Sequence, residues 1–253
     1  AYLDKVADVS AGSYYIEELT NKLIHKSWDK FLDIDEKGGF IEAFKKGVIQ
    51  DVLREESETK HQNVATRKRS ILGTNQFPNI KERLSADFVF PNTKIKHDSD
   101  VEPINIYRGA SKLEELRFKT DKYSKTNKRP TVWMFTYGNL AMRKARAQFS
   151  ENFFGCAGYE IIDNPGFNSI DEGISAAKIA KPNIVVLCSS DDEYNEIAEP
   201  IFNALKETAI VVIAGYPKES LDKLQDIGIT NFIHMKSNML EELIRYNDLM
   251  KIS

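Results

Sequence analysis

"TVWMFTYGNLAMRKARAQF", residues 131–149, decides how the rest of the chain is read. Thr131 to Phe135 is a run with the length and apolar character of a buried strand. Tyr137-Gly138-Asn139 is a turn, and Leu140, Met142, Ala145 and Phe149 then recur at helical spacing. The same alternation continues to the C-terminus. Apolar strands are expected at 131–135, 158–162, 184–188, 209–214 and 230–233, separated by helices at about 140–154, 169–180, 193–206, 218–226 and 238–250. Short apolar strands divided by helices of this length imply βαβ units and a parallel sheet covered on both faces.

The predicted fold class is therefore α/β, a doubly wound five-stranded parallel sheet of flavodoxin-like or Rossmann-like type over 130–253. Ligands in this architecture bind outside the carboxyl ends of the strands, so the loops of interest are 136–141, 189–193 and 214–217.

Composition narrows the function classes. The chain has 253 residues, 42% hydrophobic and 29% charged, which suffices for one large or two ordinary domains. A net charge of -3 supplies no field to gather nucleic acid or an anionic membrane surface. Cys156 and Cys188 lie far apart among apolar neighbours and read as packing residues in a reducing compartment. The apolar runs are strand-length, too short for a membrane span, and no signal peptide opens the chain. These features point to a cytoplasmic protein. The start at Ala1, close to a Gly-Ser turn and a helix, reads as a cut inside a longer protein.

The N-terminal part is different in kind. Ser13 is placed to cap a helix whose Ile16, Leu19, Leu23, Trp28 and Phe31 follow a helical period, with Gly38-Gly39 ending it. A second helix from about Phe40 sets Ala43, Phe44, Val48 and Val52 on one stripe and continues into a polar stretch through Arg69. From Gly73 to Arg129, prolines at 78, 91 and 103 interrupt a long connector with a short helix at Lys112 to Phe118. The segment "RFKTDKYSKTNKR" (117–129) is basic but lacks interleaved aromatics, so it reads as a solvated linker or a seam and not as a nucleic-acid patch. The domains expected are 1–70, helical; 71–129, an extended linker; and 130–253, the α/β domain.

Several chemistries fail on the residues. Gly138 alone cannot supply the glycine-rich turn of a dinucleotide site. Thr136-Tyr137-Gly138-Asn139 has some likeness to a flavin phosphate loop, but Leu140 and Ala141 stand where further hydroxyls are wanted. An independent flavodoxin-like module for a flavin or another small ligand is the alternative reading. A phosphoacceptor site would use Asp191-Asp192 and Lys236, yet Thr136-Tyr137 provides no carboxylate for magnesium, and the two aspartates read as N-terminal charges of the next helix. His25, His61, His97 and His234 are too scattered for a metal site or a cysteine partner.

Three segments carry a resemblance. "ADVSAGSYYIEELT" (7–20) resembles the D-P-A-G-G-S-Y-Y segment near the end of the substrate barrel of methylmalonyl-CoA mutases. "ILGTNQFPN" (71–79) is similar to the G-[TV]-N-x-[FY]-x-N segment of the linker that follows, and "GYEIIDNPGFNSIDEGISAA" (158–177) to part of their cobalamin domain. The resemblance covers the whole chain, and "GTNQFPN" is closest in kind to the small subunits of the bacterial heterodimers.

The resemblance implies a cobalamin-binding-type domain after a barrel end. It also implies that the family's D-x-H-x-x-G motif falls on Thr136, Gly138 and Ala141, with its histidine, the ligand below cobalt, replaced by Gly138. Ser189 and Ser190 persist from the loop after the third strand, while Ala214, Gly215 and Tyr216 replace a G-G approach to the nucleotide tail. The expectation is a vestigial cleft with no catalytic, metal or cofactor-binding residue. Adenosylcobalamin would belong to the parent complex, with the mutase large subunit as partner and self-association of this chain an open outcome.

Overall fold

The computed structural model describes residues 3–83 and 101–252. The whole of "FPNTKIKHDSD" (90–100), with Pro91 and His97, lies outside the described residues. Those described divide into two compact units, 3–57 with 101–106 and 58–83 with 107–252.

The first unit begins with helix α1 (Tyr14–Glu36), which Ser13 precedes in an extended conformation without making a side-chain cap bond. No residue of α1 is buried. Helix α2 (Gly39–Lys45) and helix α3 (Val48–Ala65) replace the single long helix expected from Phe40. The break is at Gly47, whose φ of 80° places it in the left-handed region that ends a helix. Its N–H donates to Phe44 O at 3.1 Å, and its carbonyl then accepts from Asp51 N at 3.0 Å to open α3. Buried Gln50 ties this corner to the 101–106 stretch by donating to Phe44 O and Glu102 O at 3.1 and 2.7 Å.

The second unit takes in the end of α3 and helix α4 (Ser111–Tyr123), longer than the short helix expected there. Its sheet consists of β1 (Thr131–Thr136), β2 (Glu160–Ile162), β3 (Ile184–Cys188), β4 (Ile210–Ala214) and β5 (Phe232–Ile233). All neighbours are parallel, in the order β2-β1-β3-β4-β5. This is the doubly wound, flavodoxin-like sheet expected from the alternation. The crossovers are α5 (Leu140–Gly155), α6 (Ile170–Ala180), α7 (Tyr194–Leu205) and α8 (Leu221–Asp226), with α9 (Met239–Leu249) closing the chain.

Side chains alternate across the sheet and divide the core. Val132, Met134, Ile184, Val186 and Val212 pack with Phe153 and Phe154 of α5, Leu243 and Tyr246 of α9, and Leu113 and Leu116 of α4. Trp133, Phe135, Val185, Leu187 and Ile213 face Ala177 of α6 and Ile197, Ile201 and Leu205 of α7. Cys156 and Cys188 are buried free thiols, and burial pushes both up to about 12, so neither is poised as a nucleophile.

Helix α6 approaches β1 at Gly173, where a Cβ would lie 2.3 Å from the Phe135 ring. Gly173→Ala is expected to overpack this contact and cost about 1–3 kcal/mol, despite the better helix propensity of alanine. Urea unfolding should show a lower midpoint at an unchanged slope.

Candidate functional site

The carboxyl ends of β1, β3 and β4 lie at the point where the strand order reverses, between β1 and β3, the position at which this architecture holds ligands. The topology brings Thr136, Gly138, Ala141, Ser189, Ser190, Ala214, Gly215 and Tyr216 to this one rim. What occupies the space between them is protein.

Glu193, at the N-cap of α7, turns its carboxylate back over the first turn. Asn139 N–H donates to its Oε1 at 3.0 Å, Ser190 N–H donates to its Oε2 at 3.0 Å, and the Ser189 hydroxyl lies in very short contact with Oε2. Gly138, at φ 74°, lies directly beneath: a Cβ there would be 2.3 Å from Oε1 and 2.4 Å from Cδ. Any side chain at 138 would need the volume that Glu193 fills. Burial opposes ionisation of Glu193, but the donors from Ser189, Ser190 and Asn139 outweigh it and hold the carboxyl at about 2.

A second closure covers the β4 end. Arg146 of α5 pairs with Asp191 at 2.8 Å, and a Cβ on Gly215 would lie 2.7 Å from the Arg146 guanidinium and 3.1 Å from Asp191 Oδ1. Asp191 is therefore engaged across the rim, which corrects its reading as a charge on the helix that follows. Arg143 donates to Gly138 O and Pro165 O, both at 3.2 Å, and spans the β1 and β2 loops.

The remaining site residues are structural or peripheral. Thr136 donates to Asn164 O at 2.9 Å, and Ala141 N–H donates to the capping Asn139 Oδ1 at 3.1 Å. The buried Tyr194 hydroxyl sits 3.0 Å from Leu187 O and 2.8 Å from Ala214 O and accepts from Ser189 N, joining the ends of β3 and β4. Tyr216 packs its ring 4.9 Å from that of His234, whose Nδ1 accepts from Lys236 N at 3.1 Å. A hollow of about 370 Å³ remains at the edge, lined among others by Asp192, Asn195, Tyr216 and Lys218. Among the described residues no group of histidines, cysteines and carboxylates could hold a metal ion.

Fold and site together define a flavodoxin-like α/β domain of cobalamin-binding type, joined to a helical unit, whose ligand rim is spanned by its own side chains. The methylmalonyl-CoA mutase family profile matches residues 1–144, and the chain belongs to that family.

It is 49% identical to the methylmalonyl-CoA mutase small subunit of Porphyromonas gingivalis, over 98% of this chain and 40% of that one. It is 28% identical to the probable small subunit of Mycobacterium bovis, over 96% of this chain and 38% of that one. The P. gingivalis large subunit matches at 29% over 41% of this chain and 14% of its own. The chain thus spans about two fifths of the small subunits it matches.

Glu193, Arg146 and Arg143 were not singled out in the sequence. The one signal for Glu193 is a carboxylate three residues after Ser190, within reach of the loop it closes. Replacing it by Glu193→Gln should cost about 1 kcal/mol at neutral pH, since solvent around a partly exposed group screens much of the shift. A carboxyl depressed on folding stabilises above its ordinary value of 4.5, and that contribution disappears as pH falls toward about 2. The stability gap between native chain and variant should therefore be full at pH 6 and shrink below pH 4.5, as read by thermal melts across that range.

Proposed function

We propose that this chain is the C-terminal part of the non-catalytic small subunit of a heterodimeric, adenosylcobalamin-dependent methylmalonyl-CoA mutase. The complex would isomerise methylmalonyl-CoA to succinyl-CoA in the cytoplasm, with the chemistry in the large subunit. The observation that carries this reading is the Glu193 carboxylate against Gly138. Two features argue against a fit to the cofactor: position 138 offers no ligand atom, and the Glu193 carboxylate stands where a side chain at 138 would enter. The Arg146–Asp191 pair over Gly215 likewise takes the close approach that a nucleotide tail requires.

The same geometry disfavours an independent flavin module. A phosphate held by the first loop needs the free N–H groups of residues 138–141, and Asn139 N–H is already given to a carboxylate whose charge would repel it. We assign residues 1–70 to the end of the substrate barrel, 71–129 to the linker and 130–253 to the degenerate cobalamin-type domain. Membrane and nucleic-acid roles find no support: no helix among the described residues is long and apolar enough to cross a membrane.

Titration with adenosylcobalamin should leave the corrin spectrum unchanged, while the chain co-purifies with a mutase large subunit expressed beside it. A saturable spectral shift that disappears on mutation of His234 would refute the cofactor half of the proposal. Failure to associate would refute the other half. The apolar side chains of α1 that stand exposed, among them Leu19, Leu23, Trp28 and Phe31, each forfeit roughly half of the about 1.5–3 kcal/mol that full burial supplies. Light scattering of the isolated chain should accordingly show more self-association than a version beginning at Arg129. Equal, concentration-independent monomer masses would contradict this.

A further inference from the structure

Two backbone N–H groups from separate loops, Asn139 after β1 and Ser190 after β3, converge on one carboxylate, and among the described residues neither is given to a backbone carbonyl. Asn139 N lies 3.0 Å from Glu193 Oε1 and 3.3 Å from Oε2, while Ser190 N lies 3.0 Å from Oε2, so both oxygens are held. The hydroxyl of fully buried Ser189 adds a third contact, to Oε2. Below them Gly138 has no Cβ, and the volume that this leaves open contains Oε1, Oε2 and Cδ of Glu193, each 2.3–2.4 Å from where the Cβ would be.

The group in this seat is carried on a flexible stem and is not part of the frame. Glu193 precedes α7 yet makes no side-chain bond to cap it. Its backbone opens the helix independently, the carbonyl accepting from Glu196 N and Ile197 N at 3.1 Å. The side chain therefore serves the two loops and not its own helix. Loop N–H groups that hold a carboxylate ionised against the cost of burial select for an anion.

We infer that the rim is a carboxylate-binding site occupied from within: Glu193 is a tethered ligand that bars an external small carboxylate from Asn139 N–H, Ser190 N–H and the Ser189 hydroxyl. A tethered group competes at high effective concentration, so an external anion binds only for the fraction of time that the side chain is out. Every group in the seat belongs to the α/β unit itself, and the seat stands whether or not the small-subunit reading does.

Glu193→Ala removes one methylene and one carboxylate, the heavy atoms of acetate, so acetate is the probe. Sodium acetate is titrated at pH 7 against sodium chloride of matched ionic strength. In Glu193→Ala it should bind saturably with a dissociation constant on the order of 1 mM, and shift the amide resonances of Asn139 and Ser190. At about ten times that concentration the thermal midpoint should rise by roughly 3–6 °C. The parent chain and Glu193→Gln, in which the seat stays filled, should bind acetate about tenfold more weakly or less. Adding Ser189→Ala to Glu193→Ala should weaken acetate by about tenfold, the loss of one hydrogen bond to a charged group.

Acetate that acts on folded Glu193→Ala no differently from chloride would overturn the inference. So would equal binding by the parent chain, or resonance shifts that spare Asn139 and Ser190. If Glu193→Ala is unfolded in chloride, acetate should restore the folded chain, and a variant that stays unfolded in acetate overturns the inference as well.

Discussion

A parallel sheet has no face that it can show to water. The strands β1, β3 and β4 are apolar on both sides, and α4, α5 and α9 on one face with α6, α7 and α8 on the other shut them off almost completely. This requirement leaves the strand ends as the one place where backbone N–H groups, loop side chains and solvent can meet. The family resemblance adds a corrin at that place; in this chain the same donors are satisfied from within. Asn139 N–H, Ser190 N–H and the Ser189 hydroxyl converge on Glu193, and Tyr194 joins the ends of β3 and β4. Buried or half-buried donors left without an acceptor are costly, and Glu193 is the internal acceptor for these three.

The arrangement leaves little free space at Gly138 and Gly215. Both have φ in the left-handed range, 74° and 148°, and both lie under charged side chains that a Cβ would strike. Restoring a ligand at 138 by a single substitution would therefore add an imidazole to a place that a carboxylate occupies. The closure of the rim is distributed over α5, through Arg146, and α7, through Glu193.

The strands were legible because period and composition agree there: five apolar runs, each followed by a helix, leave few topologies once right-handed crossovers are required. Their observed limits match the expected ones at six of the ten strand ends and differ by one or two residues at the other four. The second N-terminal helix was less legible. Its apolar stripe runs straight through Gly47, and periodicity alone carries no information about the left-handed φ that divides α2 from α3. The lack of a ligand atom at Gly138 could be read from the sequence, but the Glu193 carboxylate beside it could not. A sequence shows that a residue is absent, whereas the direction in which Glu193 points depends on a loop conformation fixed by tertiary contacts. Asp191 was misread for the same reason: local position favoured the helix N-terminus, while its partner, Arg146, lies 45 residues away.

The helical unit poses the opposite problem, a surface with too little to cover it. At about 100° per residue, Glu18, Lys22, His25, Lys26, Asp29, Asp33 and Glu36 gather on one face of α1. Tyr14, Ile16, Leu19, Leu23, Ile24, Trp28, Phe31 and Leu32 occupy well over half of the remaining circumference, and most of them are exposed. An apolar arc that wide belongs to an element with neighbours on two sides. Helix α2 is about 10 Å long against about 35 Å for α1, so it covers a minor part of the arc. The α/β unit buries two apolar clusters of its own, whereas the burial that α1 requires exceeds what the described residues of its unit supply. About three fifths of the length of these small subunits lies outside the part that this chain matches, a length of folded chain large enough to cover such an arc.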